Sequence, residues 1–275
     1  MESKILILEQ KMKIKEFSLI HDQKVKEILA FYKKRKNFKI KLAKHNYGFL
    51  NFDFERYFNQ SKIRYFQVLK LLNFPKNKKI LDIGGFFGLF ALDAEELNNQ
   101  VTVAEKFSYY DNYFNNIKNH LIKNDIKILD KDFVLEKYRG KKKYDIVTCL
   151  AVIEHLSDSP KILFENIKKL LTPKGSLIID GPNLAFFGNR ARLLLGKSFL
   201  PDITHIYRSA VPFTGHVHEY TIPEFYSLAK EAGFKVKQVI TFNYALDSLV
   251  DKILYFPALI FPNAKDSITV KLTKK

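Results

Sequence analysis

Apolar and polar positions follow two different periods along the chain. Over residues 1–58, apolar side chains recur at helical spacing with lysines between them. This pattern predicts a basic N-terminal extension built from two amphipathic helices. The apolar positions of the first helix are Ile5, Leu8, Met12, Phe17 and Ile20, and those of the second are Val25, Ile28, Leu29 and Tyr32.

From residue 59 onward, short apolar runs alternate with helical stretches, which is typical of a parallel sheet with crossover helices. We therefore predict one α/β domain over residues 59–275, doubly wound and Rossmann-like, with a seven-stranded and mostly parallel sheet. The predicted strands are Lys79–Ile83, Val101–Ala104, Ile126–Leu129, Tyr144–Leu150, Ser176–Asp180, Lys235–Thr241 and Ser267–Leu272. The predicted helices are Ile63–Leu72, Phe87–Leu97, Tyr109–Ile122, Pro160–Leu171 and Ile222–Ala232.

Two segments interrupt this alternation. Residues 184–221 form an insertion between late strands, and long loops held by a rigid scaffold commonly carry substrate contacts. The stretch Leu249–Pro262 is unusually apolar. It is predicted to be a hairpin edge packed in the core, and the alternative is a surface that faces lipid.

The net charge of the chain favours anionic partners but does not distinguish among their classes. Lys and Arg number 46 against 29 Asp and Glu, a net charge of +17, which attracts nucleic acid, anionic membranes or phosphorylated substrates. Lysines spread along the whole chain also fit a compositional bias of the source genome. No uncharged apolar run reaches the length of a transmembrane span, so only peripheral membrane contact is expected.

The number of cysteines excludes several kinds of disulfide and metal site. The lone Cys149 excludes an intramolecular disulfide and any multi-cysteine metal cage. Charged residues break the apolar run at the N-terminus before it reaches the length of a signal-peptide core. These observations predict a cytoplasmic protein.

The most informative segment is Lys79–Ala91, in which an apolar strand runs into a Gly-rich turn and then a helix. Such a turn lets backbone N–H groups approach a nucleotide-type ligand. The glycines stand at 84, 85 and 88, so the strict dinucleotide fingerprint is absent. There is also no Walker lysine.

This segment resembles the first motif of the class I S-adenosylmethionine-dependent methyltransferases, an apolar strand followed by D/E-x-G-x-G-x-G. Asp82, Gly84 and Gly88 match that motif, and Phe86 stands where its middle glycine usually lies. The resemblance implies S-adenosylmethionine as the cofactor, with Asp82, Gly84, Gly85 and Gly88 at its binding site.

Acidic residues follow at the intervals that this resemblance implies. Glu105 closes the second strand 23 residues after Asp82, where nucleotide-binding α/β folds place a carboxylate that binds ribose hydroxyls. Asp132 resembles the family's acid that accepts the adenine amino group, and Asp130 competes for that role.

The segment Tyr144–Asp158 resembles the fourth-strand motif of small-molecule methyltransferases, D-x-V followed by E-H-x-x-D. An L-x-P-x-G turn at Leu171–Gly175 completes the resemblance. Because ligands of open parallel sheets lie beyond the carboxyl ends of the strands, Ala151 and Asn183 are expected at the same crevice, the first toward cofactor and the second toward substrate. His155 is a candidate general base.

The insertion offers further candidates. The stretch Thr214–Thr221 resembles the segment before the sixth-strand helix in this methyltransferase group, so His216 or His218 is an alternative base. These two histidines with Glu219 also suggest a metal site, but no third ligand is evident nearby and no metal is expected. The arginines Arg190, Arg192 and Arg208 are expected to bind a phosphate or carboxylate on the acceptor, or alternatively to pair with Asp202 and Glu219.

The resemblance therefore implies a transferase that methylates a small molecule, with O-methylation of a sugar or a nucleotide- or lipid-linked saccharide favoured. The alternatives are an RNA methyltransferase, which the +17 charge favours, and a non-catalytic binding protein that kept the fold. Against RNA, the fourth-strand block lacks the N/D-P-P-Y/F tetrapeptide of base-amine methylation. The glycine spacing disfavours a nicotinamide oxidoreductase.

Overall fold

The computed structural model describes residues 12–32, 53–110, 114–208, 213, 215–244 and 249–275. Seven strands form one sheet, in chain order β1 (Lys79–Ile83), β2 (Gln100–Glu105), β3 (Lys127–Asp130), β4 (Tyr144–Leu150), β5 (Leu171–Pro182), β6 (Phe234–Phe242) and β7 (Ser267–Lys274). They lie side by side as β3-β2-β1-β4-β5-β7-β6. Only β7 runs antiparallel to its neighbours β5 and β6, which confirms the predicted seven-stranded, mostly parallel sheet.

The helices cover both faces of this sheet. In the described part of the chain they are α1 (Ile14–Tyr32), α2 (Phe54–Leu71), α3 (Leu89–Glu96), α4 (Phe114–Lys123), α5 (Lys161–Leu170), α6 (Phe187–Leu194), α7 (Ile203–Arg208), α8 (Ile222–Glu231), α9 (Leu249–Leu254) and α10 (Phe256–Ile260). Short 3-10 turns follow β2, β4 and α10, at Phe107–Tyr109, Ile153–His155 and Pro262–Ala264.

Strand periodicity sorts the core into two layers. Ile80 of β1 joins a cluster with residues of α1, α2, α3 and α4, whereas its neighbour Leu81 joins a cluster with residues of α5 and α8. Successive strand residues point to opposite faces, and helices cover both faces here. This arrangement is why the central strands read as continuous apolar runs in the sequence.

The N-terminal helix α1 is part of this core. Its residues Phe17, Val25 and Ile28 are buried in the same cluster as α3. His21 is fully buried, with its Nδ1 2.7 Å from the Asp93 carboxylate and its Nε2 2.9 Å from the Phe58 carbonyl oxygen. One buried imidazole therefore connects α1, α2 and α3.

Several predicted boundaries in the N-terminal half are corrected. The apolar positions from Phe17 to Tyr32 belong to one continuous helix, not two, because no residue between them interrupts the helical period. Ile5 and Leu8 lie outside the described residues. Helix α2 begins at Phe54, well before the predicted Ile63, because the Asp53 side chain caps it by accepting a hydrogen bond from the Arg56 N–H.

The apolar stretch Leu249–Pro262 is not a hairpin edge. It forms α9, α10 and the start of a 3-10 turn, and much of its apolar surface is exposed. The turn predicted at Pro173–Gly175 lies inside β5, as a bulge where pairing with β4 shifts from Leu171 to Ser176. No helix among the described residues combines the length and apolarity needed to cross a membrane.

We predict that His21→Ala lowers the free energy of unfolding by about 3–5 kcal/mol, because it leaves the Asp93 carboxylate buried without its partner. Urea denaturation at neutral pH measures this loss. Leu19→Ala, at an exposed position of the same helix, is the matched control and is expected to change stability little. A loss no larger than that of the control would contradict the proposed contribution of the buried pair.

Candidate active site

The Gly-rich turn after β1 requires glycine at two positions, and a different side chain crowds each of them. Gly84 and Gly88 both have positive φ, +70° and +73°. A Cβ on Gly84 would lie 2.5 Å from Val152 Cγ2, and one on Gly88 would collide with Leu121. Glycine thus supplies both the left-handed backbone and the close packing that this turn requires.

Phe86 keeps the turn's backbone conformation although it is not glycine. Its φ is +50°, in the left-handed region, and its backbone N–H donates to Glu105 Oε2 at 3.0 Å. Its ring packs edge-on against Phe87 and near Tyr110. The hydrogen bond and the aromatic contacts offset the strain of this conformation, and the ring forms part of the cavity wall.

Glu105 ends β2 with its carboxylate at the cavity. Burial raises its pKa, and the backbone N–H groups of Phe86 and Lys106 oppose that shift. The Tyr110 side chain is a third hydrogen-bond partner of this carboxylate. A carboxylate offers about four acceptor positions, so these three bonds do not exhaust it. Glu105 therefore fits a ligand that brings hydroxyl donors.

Asp132 and Asp130, which the sequence did not separate, have different surroundings. Asp132 lines the cavity, accepts hydrogen bonds from the N–H groups of Val134 and Leu135, and is bound by the Tyr109 hydroxyl at 2.7 Å. Asp130 is not a cavity residue. It accepts from the Phe107 N–H, which makes it part of the turn after β2.

Two further predicted cofactor residues lie at the same edge of the sheet. Asp82 is buried and accepts a hydrogen bond from the Thr148 hydroxyl at 2.7 Å, and burial raises the pKa of Asp82 to about 7. Ala151 has a φ of +53°, and its N–H donates to Asp180 Oδ1 at 2.9 Å. Both residues line the cavity with Gly84 and Gly85.

The cavity at the carboxyl ends of β1, β2 and β4 has a volume of about 730 Å³, within the roughly 300–1,000 Å³ of small-molecule sites. Aromatic side chains are the commonest type in its wall and make up about a third of the lining residues. The aromatic residues are Phe54, Tyr57, Phe58, Tyr65, Phe86, Phe87, Phe90, Tyr109, Tyr110, Phe133, Phe213 and Tyr244.

Two imidazoles of the cavity wall, those of His155 and His216, lie beside the buried carboxyl of Glu154, which is not itself a cavity residue. Glu154 is buried, and burial raises its pKa to about 7. The rings of His155 and His216 lie edge to face, 4.9 Å apart, and His216 Nδ1 is 2.9 Å from Glu219 Oε1. Burial lowers the pKa of His216, but the hydrogen bond to Glu219 and the charge of Glu154 raise it more, so that it lies above its ordinary value.

The same three residues have the donor set of a cation site. One ligand atom each from Glu154, His155 and His216 lies within 4.8 Å of the other two. Glu154 Oε2 is buried and has no hydrogen-bond partner among the described residues. Carboxylate oxygen and imidazole nitrogen are ligands that divalent transition metals accept. The sequence suggested instead a set of His216, His218 and Glu219, which missed Glu154 because its approach to His216 depends on the fold.

Other predicted site residues lie elsewhere. His218 is not a cavity residue, since its Nε2 is 3.3 Å from Glu224 Oε1 and its ring contacts Tyr220. Asn183 is buried, and its amide nitrogen donates to the carbonyl oxygens of Asn263 and Lys265. Asn183 therefore joins two loops and is not a cavity residue.

The arginines of the insertion also lie outside the cavity wall. Arg190 Nε donates to the Ala185 carbonyl and Arg192 Nε to the Ser198 carbonyl, and Arg208 is exposed. Glu219, an alternative partner for these arginines, is bound to His216 and contacts Asn189. No observed contact directs these guanidinium groups at the cavity.

Sequence reasoning missed Arg64 and Asp180. Arg64 of α2 lines the cavity, is almost fully buried, and pairs through Nε with Asp180 Oδ2 at 3.0 Å. Its guanidinium carbon lies 4.5 Å from the centre of the Tyr244 ring. The available signal was position, because Arg64 lies in helical phase with the buried residues Phe58, Ser61 and Val68.

Comparison with known proteins identifies the family of the chain. A family profile described as a methyltransferase domain matches residues 55–239. The chain therefore belongs to the class I S-adenosylmethionine-dependent methyltransferases, and it is an enzyme of that class with S-adenosylmethionine as its cofactor.

Particular relatives can be named. The chain is 27% identical over 194 residues to a "Ubiquinone biosynthesis O-methyltransferase" of Rickettsia typhi, which covers 67% of this chain and 69% of that protein. The fold of this chain is similar to that of a Pyrococcus horikoshii protein (TM-score 0.53, 16% identity, 78% of this chain and 91% of that one). It is also similar to the Burkholderia thailandensis 1,6-didemethyltoxoflavin-N1-methyltransferase, solved with S-adenosylhomocysteine (TM-score 0.52, 13% identity, 78% of each chain).

We predict that Glu105→Ala weakens binding of S-adenosylhomocysteine by about 1–3 kcal/mol, because charge-assisted hydrogen bonds to the ribose are lost. Isothermal titration calorimetry measures the change. Asp130→Ala is the matched control, since Asp130 also ends a strand but lies outside the cavity wall. Equal affinities for Glu105→Ala and the unaltered protein would show that the ribose site lies elsewhere.

Proposed function

We propose that the chain transfers the methyl group of S-adenosylmethionine to a hydroxyl oxygen of a small acceptor that carries an apolar ring. The observation that carries this proposal is one cavity whose wall contains both the acidic residues Asp82, Glu105 and Asp132 and the imidazoles of His155 and His216. The carboxyl of Glu154 is buried beside these two imidazoles. A hydroxyl needs proton removal as its oxygen is methylated, and this cluster offers the basic groups.

The shape and chemistry of the wall favour a ring over a free sugar. Aromatic side chains are the commonest type in the cavity wall, whereas Arg190, Arg192 and Arg208, on which an anionic saccharide would depend, are not cavity residues. The name of the Rickettsia relative also indicates O-methylation in quinone biosynthesis. Sugar, saccharide and RNA acceptors remain the competing classes, and the +17 charge favours RNA.

His216, Glu219 and Glu154 have distinct roles in this proposal. Glu219 binds Nδ1 of His216 and thereby favours the tautomer whose Nε2 is unprotonated. As the bond from oxygen to the methyl carbon forms, Nε2 accepts the hydroxyl proton. Glu154, whose pKa is raised to about 7, lies beside the imidazolium that results and stabilises it. The cofactor supplies an electrophilic methyl group and leaves as the thioether.

A bound divalent cation is a second way for the same cluster to act. Glu154, His155 and His216 would hold the ion, and it would lower the pKa of a coordinated acceptor hydroxyl. The unpartnered Oε2 of Glu154 favours this variant.

We predict turnover with a ring hydroxyl acceptor, because the aromatic wall buries apolar rings and excludes water. The probes are an alkylated catechol, a hexose phosphate and a single-stranded RNA, each with S-adenosylmethionine, and mass spectrometry identifies the methylated product. We expect methylation of the catechol alone. Turnover of only the hexose phosphate or only the RNA would replace our acceptor class with that one.

We predict that His216→Ala lowers kcat by about 10²–10⁴-fold at saturating cofactor, whereas His218→Ala leaves it nearly unchanged. The rate is expected to rise with pH through the raised pKa of His216, because only the neutral imidazole accepts a proton. Glu219→Gln removes a charge that raises this pKa, so the acidic limb of the profile moves to lower pH.

Dialysis against a chelator, followed by the same assay, separates the two variants of the mechanism. An unchanged rate supports direct proton transfer to His216. A lost rate that a divalent metal ion restores supports the cation variant. Equal rates for His216→Ala and His218→Ala would contradict both.

A further inference from the structure

The structure shows an exposed apolar patch that the methyl-transfer site does not use. Leu193, Leu194 and Leu195, at and just after the end of α6, and Ile253, Leu254 and Phe261, on and after α9, have exposed fractions of 56% to 88%. Soluble monomers rarely expose large apolar side chains in such groups, and those that do commonly use them for binding.

Direct contacts join the α6 segment to the C-terminal helices, the two segments that carry the exposed side chains of the apolar patch. The ring of Phe186, which precedes α6, lies 5.2 Å from the ring of Tyr255. Gly188 allows this approach, because a Cβ there would come within 2.9 Å of Tyr255. Arg190 Nη2 also donates to the Asn263 carbonyl oxygen at 3.3 Å. The insertion and the C-terminal helices therefore form one surface.

Basic residues surround the apolar patch. Residues 186–208 contain four Arg and Lys against one Asp, and residues 249–265 contain two Lys against one Asp. Lys197 and Lys252 are exposed. Arg190 and Arg192 bond through Nε to backbone carbonyl oxygens, which leave their positive charge unneutralised. Apolar side chains flanked by Lys and Arg are typical of segments that lie in a membrane interface.

Charge distinguishes between two candidate partners of the apolar patch, a second copy of this chain and a lipid membrane. A second copy of this chain would bring a further +17 to the surface, whereas anionic lipid headgroups attract these cations. We propose that the apolar patch binds the surface of an anionic membrane, with the leucines and Phe261 in the acyl boundary and the basic residues at the headgroups.

This surface bears on how an acceptor reaches the enzyme. The α6 segment follows the end of β5, and α9 follows the end of β6 and the cavity residue Tyr244. The apolar patch is therefore connected to the same end of the sheet as the cavity. The inference itself does not depend on the acceptor class proposed above.

Sedimentation of the full chain with vesicles tests the proposal. One set contains equal parts of phosphatidylglycerol and phosphatidylcholine, and the other contains phosphatidylcholine alone. We expect binding to the anionic vesicles and much weaker binding to the neutral ones. The double variant Leu194→Ser with Leu195→Ser is expected to weaken anionic binding by more than about ten-fold. Lys197→Gln with Lys252→Gln is expected to weaken it by about ten-fold.

Leu19→Ser and Ile122→Ser, at exposed apolar positions of α1 and α4, are the matched controls. Calorimetry with S-adenosylhomocysteine verifies that each variant is folded. Absent binding to anionic vesicles, or equal losses in the controls and the leucine variant, would overturn the proposal. Light scattering without vesicles supplies the other test, because a dimer that the leucine variant converts to a monomer would make this surface an interface between copies.

Discussion

Burial of carboxyl groups along one edge of the sheet is the constraint on which the site depends. Asp82, Glu154 and Asp180 are buried at or just beyond the carboxyl ends of parallel strands, with Glu105 partly covered beside them. A buried carboxylate without a partner is strongly destabilising, so each one requires a donor. The donors that satisfy them set the shape of the loops around the cavity.

Those donors come from distant parts of the chain. Glu105 holds the Phe86 N–H and with it the left-handed turn after β1, and Asp180 holds the Ala151 N–H and the guanidinium of Arg64. Through Arg64, helix α2 is fixed over the open end of the sheet and supplies much of the aromatic wall. Glu154 differs from Asp180, whose Oδ2 forms an ion pair with Arg64, because Glu154 Oε2 has neither a hydrogen-bond partner nor an ion-pair partner in the described structure. That oxygen remains available for chemistry.

Features that depend on residues close together in the chain could be predicted from the sequence. Strands β1 and β4 were predicted to the residue, because strands covered on both faces read as uninterrupted apolar runs. The Gly-rich turn and Glu105 follow from strand ends and spacing, since parallel strands bring their carboxyl ends together. The segment 249–262 was predicted incorrectly because a short apolar run does not distinguish a strand from a helix.

Contacts between residues that are far apart in the chain could not be predicted from the sequence. Asn183 has the character of a site residue at the end of a strand, yet its amide is bound by carbonyls 80 and 82 residues further along the chain. Arg64 is one of four basic residues in α2, and only its helical phase marked it as buried. The pairing of His216 with Glu219 was within reach, whereas its approach to His155 required the fold.

The chain as a whole is basic, whereas the cavity edge carries acidic residues. The protein carries +17, but the cavity edge is lined by Asp82, Glu105 and Asp132. Charges on exposed lysines are screened by salt within about 10 Å, whereas charges on partly desolvated carboxylates interact more strongly with a nearby ligand because the local dielectric is lower. When ionised, these carboxylates therefore favour a cationic ligand over an anionic one despite the basic surface. Because methyl transfer turns a sulfonium cation into a neutral thioether, carboxylates close to the sulfur would favour the charged cofactor over the spent one.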